Sequence, residues 1–148
     1  MISKEQLILI LFLVYVGSAL HIDPSTHRHH HRRRGEAAHQ YDWGHYNSNS
    51  EPPMNQLRER WLSQIPDGRK ITTLSIPGTH DTGTYDCRWW QSCDISQCQS
   101  WSIYWQLRAG IRFLDLRVNT DGKFTIGHGG YTYMDLITAF EDIKRFLD

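Results

Sequence analysis

The chain has 148 residues, of which 39% are hydrophobic and 22% are charged, and its formal net charge is zero. This composition fits one small globular domain. The balance of charge gives no overall electrostatic case for binding nucleic acid. After the first twenty residues, no apolar run reaches the length of about 20 residues that a membrane-spanning helix needs.

The N-terminal residues have the pattern of a secretory signal peptide. Lys4 precedes the apolar run from Leu7 to Gly17, and Ser18 and Ala19 are also small. A short apolar region followed by small residues predicts cleavage close to residue 20, after Ala19 or the next residue. An uncleaved membrane anchor is the alternative, although the run is short for a span. We therefore expect residues 1–20 to be a signal peptide and the protein to be secreted, free or associated with a membrane.

Residues 21–54 are rich in His, Arg, Asn, Ser and Pro and contain few aliphatic residues. Such a segment cannot bury enough apolar surface to offset the entropy lost on ordering, so we predict a disordered His/Arg-rich linker. The run from His27 to Arg34 is either a solvated tail or has one of three functions. They are metal capture, attraction to anionic lipid and proteolytic processing at three consecutive arginines.

Regular structure is predicted from residue 55 to residue 148. Asn55 can cap a short helix that ends at Pro66-Asp67-Gly68. The β-branched and apolar residues of Ile71–Ile76 then predict a strand, which Pro77-Gly78 interrupts. A side chain that follows directly, such as that of His80, is therefore expected just beyond the carboxyl end of a strand.

The second half of this region predicts a helix, two strands and a second helix. The first helix runs over Ser102–Arg108 and stops at Gly110, and a strand follows over Ile111–Val118. A further strand covers Lys123–Ile126. The last helix begins near residue 134 or 135, and four apolar residues form one stripe along it: Leu136, Phe140, Ile143 and Leu147. This order of elements is typical of a parallel β/α arrangement, which places ligand chemistry at the carboxyl ends of its strands.

Cys87, Cys93 and Cys98 lack the spacing of a zinc site, and a secreted protein favours disulfides. Because three is an odd number, we expect one local disulfide and one remaining thiol, unless another chain or a further segment supplies a partner.

Charged side chains and imidazoles follow or occupy each predicted strand. His80 and Asp81 follow the first, Asp115 and Arg117 share one face of the second by strand alternation, and His128 follows the third. A single histidine at a strand end is more often structural than functional. The joint pattern indicates a site in which these five side chains converge.

Three motifs resemble the X domain of phosphatidylinositol-specific phospholipase C in its bacterial-like form. They are Leu74–Tyr85, which contains Pro-Gly-Thr-His-Asp, Gly110–Arg117, which ends in Asp-Leu-Arg, and Ile126–Gly129. The motifs are long, ordered and specific. The resemblance extends over about residues 56–148 and matches only the N-terminal half of that family's domain.

The resemblance implies an α/β fold, the N-terminal part of a distorted TIM (β/α) barrel, and a reaction. Family enzymes cleave an inositol phospholipid between glycerol and phosphate, with the inositol 2-hydroxyl as nucleophile. His80 matches the general base, His128 the general acid and Arg117 the phosphate-binding residue. Asp81 matches a carboxylate that works with the acid. Asp115 matches one that orients a neighbour, although a structural ion pair with Arg117 is the alternative.

The same resemblance implies that no cofactor or metal is needed. In the calcium-requiring relatives a cation is held beside the phosphate, and here Arg117 stands at the corresponding position, where it can only donate hydrogen bonds. The implied partners are an inositol phospholipid and a phospholipid membrane surface. Trp89 and Trp90 are expected at the rim of the site, where they either seat the protein on lipid or pack around a disulfide. The sequence does not indicate an oligomeric state.

A barrel of eight strands cannot close with the three strands predicted here, so we expect a truncated barrel. Two functions therefore remain open. The first is a secreted phosphodiesterase that acts on phosphatidylinositol or related lipids. The second is a secreted, non-catalytic phospholipid-binding or interaction module that keeps the motifs without turnover.

Overall fold

A computed structural model describes residues 9–15, 52, 55, 57–87, 93–120 and 122–148. For Leu9–Tyr15 only the backbone is described. The expected linker at 21–54 therefore lies outside the described residues apart from Pro52, and so do Trp89 and Trp90. No helix in the described ranges is both long and apolar enough to cross a membrane.

The described residues form a mixed five-stranded sheet with three helices. The strands are β1 (Leu9–Tyr15), β2 (Gly78–Thr79), β3 (Phe113–Asn119), β4 (Thr125–His128) and β5 (Tyr131–Asp135). The helices are α1 (Cys93–Ser96), α2 (Ile103–Arg108) and α3 (Leu136–Leu147). Two short 3-10 helices, Trp61–Gln64 and Ile71–Thr73, precede β2.

β3 is the central strand of the sheet. It pairs in parallel with β1 along its whole length and with β2 at Phe113 and Leu114. Because β1 and β2 pair with the same two residues of β3, they lie on its opposite edges. β4 pairs with the far end of β3, and β5 pairs with β4, both antiparallel. The predicted parallel arrangement is therefore wrong for β4, and β5 was not predicted as a strand. The two strands form a hairpin through the tight turn at Gly129-Gly130.

The strand predicted over Ile71–Ile76 is also wrong. Ile71–Thr73 form a 3-10 turn, and the strand is reduced to the two residues after Pro77. The Thr73 backbone N–H and side-chain hydroxyl both donate to the carbonyl of Lys70, at 2.9 and 2.8 Å. A threonine that bonds to nearby backbone offers the chain an alternative to the ladder of a sheet.

In the described part of the region predicted as a helix from Asn55, Trp61–Gln64 form a 3-10 turn, and side chains on both sides of it hold the segment in place. Trp61 donates its indole N–H to the carbonyl of Gly110 at 2.8 Å. The buried Arg112 donates to the backbone carbonyls of Glu59 and Leu107. This segment is therefore held against the turn between α2 and β3.

The core lies between one face of β3 and β4 and the helices α2 and α3. Its fully buried members come from all four elements: Ile103, Leu107, Leu114, Leu116, Ile126, Ala139 and Ile143. The helix over Ile103–Arg108 is confirmed, with Ser102 as its N-cap. On α3 the predicted stripe is wrong at Phe140, which is 42% exposed, because Ala139 faces the core instead. A small residue at 139 allows α3 to pack closely on α2.

Candidate active site

The site begins with a strained residue directly after β2. Asp81 has a φ of +47° and is only 1% exposed. Non-glycine residues adopt this conformation rarely, although Asp tolerates it better than most. The backbone N–H of Asp81 donates to Asp115 Oδ2 at 3.2 Å, and the N–H of Thr82 donates to the Asp115 carbonyl at 2.9 Å. The loop is therefore bound to β3, and the strain is compensated by these bonds.

The buried Thr82 and the half-buried Thr79 fix the position of the same loop. Thr82 Oγ1 donates to the carbonyl of Thr79 at 3.0 Å and accepts from the backbone N–H of Asp115 at 2.9 Å. Thr79 Oγ1 donates to Gln106 Oε1 at 2.8 Å, and the Gln106 amide donates to the carbonyl of Thr82 at 3.0 Å. A satisfied polar network of this kind rigidifies its surroundings. It links β2, α2 and β3 beneath the site.

Strand alternation places Asp115 and Arg117 on the face of β3 opposite Leu114, Leu116 and Val118, as predicted. Arg117 Nε lies 2.8 Å from Asp81 Oδ1, and Arg117 Nη2 lies 3.3 Å from Asp115 Oδ2. One guanidinium thus faces two carboxylates. The buried Asp81 is tolerated as an anion because its charge is paired.

His80 reaches all three of these side chains while 62% of its own side chain stays exposed. Its Nδ1 lies 3.1 Å from Arg117 Nη2, which can only donate, so Nδ1 accepts. The proton of the neutral ring is then on Nε2, which lies 3.1 Å from Asp81 Oδ2. Nδ1 is also 3.3 Å from Asp115 Oδ2, a contact that becomes an ion-paired hydrogen bond when the ring gains its second proton.

His128 is the last residue of β4, rather than part of the turn after it, and faces His80 across the site. Its Nδ1 lies 2.9 Å from the carbonyl of Ser96, which can only accept, so Nδ1 carries a proton. Its Nε2 lies 3.7 Å from Asp81 Oδ2. The two imidazole rings are 6.5 Å apart between centroids and nearly perpendicular. Asp81 Oδ2 thus lies between the two histidines.

A β-bulge in the hairpin helps to orient His128. Ile126 pairs with Met134 and Gly127 pairs with Thr132, so Tyr133 is the extra residue of β5. The buried Tyr133 hydroxyl is 2.7 Å from Ser96 Oγ. Because Ser96 also holds His128 through its carbonyl, the bulge connects the hairpin to the loop that orients the ring.

The sequence analysis missed Cys98 as a residue of the site. The structure confirms one disulfide, Cys87–Cys93, and leaves Cys98 as the free thiol. Its Sγ lies 3.7 Å from Asp81 Oδ2 and 3.9 Å from His128 Nδ1. Burial raises the pKa of this thiol, and the negative charge of Asp81 raises the pKa further. The odd number of cysteines indicated a free thiol, but nothing in the sequence placed it beside Asp81.

The five side chains predicted to converge do lie together: His80, Asp81, Asp115, Arg117 and His128. Asp115 pairs with Arg117 and also contacts His80, so the structure contains both arrangements considered for it. A shallow cavity of about 290 Å³ opens beside them and is lined by Gly78, Thr79, His80, Phe113 and Asp115. Two imidazoles and a guanidinium that lie together around two carboxylates can move protons and neutralise an anion.

Several known proteins are similar to this chain in sequence. The chain is 37% identical to a 1-phosphatidylinositol phosphodiesterase of Listeria monocytogenes, over 68% of this chain and 32% of that protein. It is 27% identical to the Staphylococcus aureus protein of the same name, over 71% and 34%. It is 31% identical to PI-PLC X domain-containing protein 1 of Danio rerio, over 61% and 40%. The chain thus spans about a third of the length of these curated relatives.

A solved structure supports the same relationship. The phosphatidylinositol-specific phospholipase C of S. aureus, whose membrane binding was the subject of that structure, superposes with a TM-score of 0.54 at 28% identity. The match covers 59% of this chain and 30% of the other. No family model matches the sequence.

Proposed function

Because the chain is related to the X-domain family of phosphatidylinositol-specific phospholipases C, we propose that it supplies the proton-transfer and phosphate-binding side of a phosphodiesterase site. The substrate is phosphatidylinositol or a related inositol phospholipid. The protein is secreted and acts at a phospholipid surface. The activity of a whole enzyme of this kind is part of the proposal, since the chain spans about a third of its relatives.

One observation carries this proposal, namely the position of the buried Asp81 carboxylate. Its Oδ2 lies between His80 Nε2 at 3.1 Å and His128 Nε2 at 3.7 Å, while its Oδ1 faces Arg117 Nε at 2.8 Å. A structural ion pair would need only one of these partners. Two titratable rings and one permanent cation on a single buried carboxylate are the groups that a phosphodiester reaction requires.

The proposed reaction begins with His80 as general base. His80 takes the proton of the inositol 2-hydroxyl, and the freed oxygen attacks phosphorus. The bond from phosphorus to the glycerol oxygen breaks, and His128 as general acid protonates the departing diacylglycerol oxygen. The products are diacylglycerol and an inositol cyclic phosphate. A positioned acid or base of this kind typically contributes about 10²–10⁴-fold.

Arg117 links phosphate binding to the activation of His80. Without substrate, Arg117 Nη2 lies at 3.1 Å from His80 Nδ1, the nitrogen that carries the lone pair. A phosphate oxygen competes for the same guanidinium because an anion is a stronger acceptor than a neutral imidazole. When the phosphate takes Nη2, the lone pair of His80 becomes available to the hydroxyl. Asp115 then pairs with the imidazolium through its contact at 3.3 Å.

The test measures turnover of phosphatidylinositol vesicles by the secreted chain and by His80→Ala and His128→Ala. Each variant should lose nearly all release of inositol cyclic phosphate while its thermal unfolding stays close to that of the wild type. His39→Ala is the matched control and should keep full activity. Vesicles of phosphatidylcholine should give no turnover, because the only hydroxyl of choline is esterified to the phosphate and the headgroup has no free hydroxyl that can attack the phosphorus.

The non-catalytic alternative predicts a different result. A binding module would bind phosphatidylinositol vesicles without turnover, and His80→Ala would not change product release because there is none. If either histidine variant retained activity within a few-fold of wild type, the assignment of base and acid would be wrong.

A further inference from the structure

Cys98 brings a third kind of ligand atom to the site. His80, Asp81 and Cys98 each offer one such atom, and these atoms lie within 4.8 Å of one another. We propose that these three residues form a binding site for a thiophilic divalent transition-metal ion such as Zn²⁺, and that the bound ion inhibits the protein.

The two distances to the Asp81 oxygen are close to those between ligands of one small ion. His80 Nε2 lies 3.1 Å and Cys98 Sγ lies 3.7 Å from the same oxygen, Asp81 Oδ2. With bonds of about 2.0–2.3 Å, two ligands of a tetrahedral zinc ion are roughly 3.3–3.8 Å apart. The exposed His80 ring has to turn away from its contacts with Asp115 and Arg117 so that the lone pair of one nitrogen faces the ion.

The donor set selects the class of metal. Imidazole nitrogen, carboxylate oxygen and thiolate sulfur together suit zinc and its neighbours among the transition metals. Calcium takes 6–8 oxygen ligands, so a group with a single carboxylate oxygen does not suit it. On binding, the Cys98 thiol loses its proton to solvent, and the sulfur bonds the ion as a thiolate.

The residues around the cluster hold two of the ligands in place. Arg117 Nε pairs with Asp81 Oδ1 at 2.8 Å, so the other oxygen of this carboxylate, Oδ2, faces the thiol and the imidazoles. The backbone N–H of Cys98 donates to Thr84 Oγ1 at 3.0 Å, and Thr84 Oγ1 donates to the carbonyl of Asp81 at 2.8 Å. Cys98 and Asp81 are thus tied to the same threonine, and such supporting contacts strengthen metal sites.

His128 lies next to the open coordination position. Its Nε2 is 3.7 Å from Asp81 Oδ2, and in the neutral ring the Nδ1 proton faces the Ser96 carbonyl and the lone pair is on Nε2. The general acid of the proposed reaction is the doubly protonated ring, so the ion would bind the neutral form. A fourth ligand, from His128 or from water, would complete a tetrahedral ion. The positive charge of Arg117 is outweighed, because two carboxylates and a thiolate surround the ion.

Inhibition rests on the proposed function, whereas metal binding does not. A bound ion removes the lone pair of His80, which the reaction needs as a base, and occupies Asp81 Oδ2. Binding is therefore measured first and separately from turnover.

The experiment uses Co²⁺ alone as a spectroscopic probe on the full chain, with its disulfide formed. The His-rich run is a competing site, so the background variant carries alanine at its four histidines: His27, His29, His30 and His31. One equivalent of Co²⁺ should give the near-ultraviolet charge-transfer band of a cobalt–thiolate bond. Zn²⁺ should then abolish the band by displacement.

Cys98→Ser in this background should lose the band and weaken Zn²⁺ binding by more than about tenfold, since loss of even a supporting residue costs about 10–100-fold. Ser100→Ala is the control and should change neither. Absence of the band with excess Co²⁺, or unchanged Zn²⁺ affinity in Cys98→Ser, would overturn the site. If the band is present but Zn²⁺ leaves the turnover of the active protein unchanged, the inhibitory role is wrong.

Discussion

Replacement of Asp81 by asparagine is the sharpest test of the proposed chemistry. Asn has nearly the same shape and also tolerates the φ of +47°, so the loop after β2 should keep its conformation. The negative charge that faces His80, His128 and Arg117 is lost. The amide nitrogen can no longer accept the proton of His80 Nε2, which now lies 3.1 Å from a carboxylate oxygen.

The expected effects can be sized from the contacts. Removal of one partner from a fully buried pair costs about 3–5 kcal/mol, and exposed pairs contribute about 0–1. The Arg117 side chain that pairs with Asp81 is 33% exposed, so we expect a loss of about 1–2 kcal/mol in unfolding free energy. In the serine-protease triad, replacement of the aspartate by asparagine lowers kcat by roughly 10⁴-fold, because the imidazole is then held in the wrong tautomer. We therefore expect turnover to fall by about 10³–10⁴-fold.

The assay compares initial rates on phosphatidylinositol vesicles and denaturant unfolding curves of the same preparations. Asp142→Asn is the matched control. The carboxylate of Asp142, on α3, accepts a hydrogen bond from the backbone N–H of Tyr104, on α2, at 3.3 Å and takes no part in the site. The control variant should lose some stability and keep its rate. Turnover of Asp81→Asn within about tenfold of wild type, with an intact fold, would refute the role of this carboxylate.

Three other expectations follow from the structure. Burial and the charge of Asp142 raise the pKa of Tyr85 above its ordinary value of 10.0, so the unfolded chain loses this proton first and stability should fall as the pH rises above 10.0 toward the raised pKa. Tyr85→Phe should remove most of that fall in denaturant titrations, and an equal fall in the variant would contradict the assignment. Gly127→Ala would push a Cβ into the backbone carbonyl of Tyr131, so it should lower both the melting temperature and the turnover. Gly68→Ala is the control and should change neither, because a Cβ at residue 68 has no atom within 4 Å. Turnover of the wild type should persist in excess EDTA, and its loss in the chelator would overturn metal independence. Arg117→Lys should reduce turnover about 100-fold, because Lys lacks the planar fork of the guanidinium.

The order of motifs predicted the candidate site better than local propensity predicted the elements around it. Alternation along one strand was sufficient to place Asp115 and Arg117 on one face and Leu114 in the core, because a central strand must keep its apolar face buried. The strand at Ile71–Ile76 failed because β-branched residues there bond locally, and propensity does not register such bonds. A period of 3.6 residues does not distinguish Phe140 from Ala139 when either can face a neighbouring helix.

Features that depend on distant parts of the chain could not be predicted. The contact of Cys98 with Asp81 joins residues 17 apart through a loop that has no periodic pattern. The hairpin of β4 and β5 was missed because the pattern at Tyr131–Tyr133 is as compatible with a loop as with a strand. Pairing of Leu9–Tyr15 with β3 was not foreseen, since its composition predicts a signal peptide, and that prediction still stands to be tested.

Because of the Cys87–Cys93 disulfide, the position of His128 depends on the redox state of the surroundings more than the positions of His80 and Arg117 do. His80 and Arg117 are set by β2 and β3, which contain no cysteine. His128 is oriented by the Ser96 carbonyl, three residues after the half-cystine Cys93. In a reducing compartment the base side should therefore be complete while the acid side is loosely held. Under the secretion proposed above, formation of the Cys87–Cys93 disulfide would complete the acid side of the site.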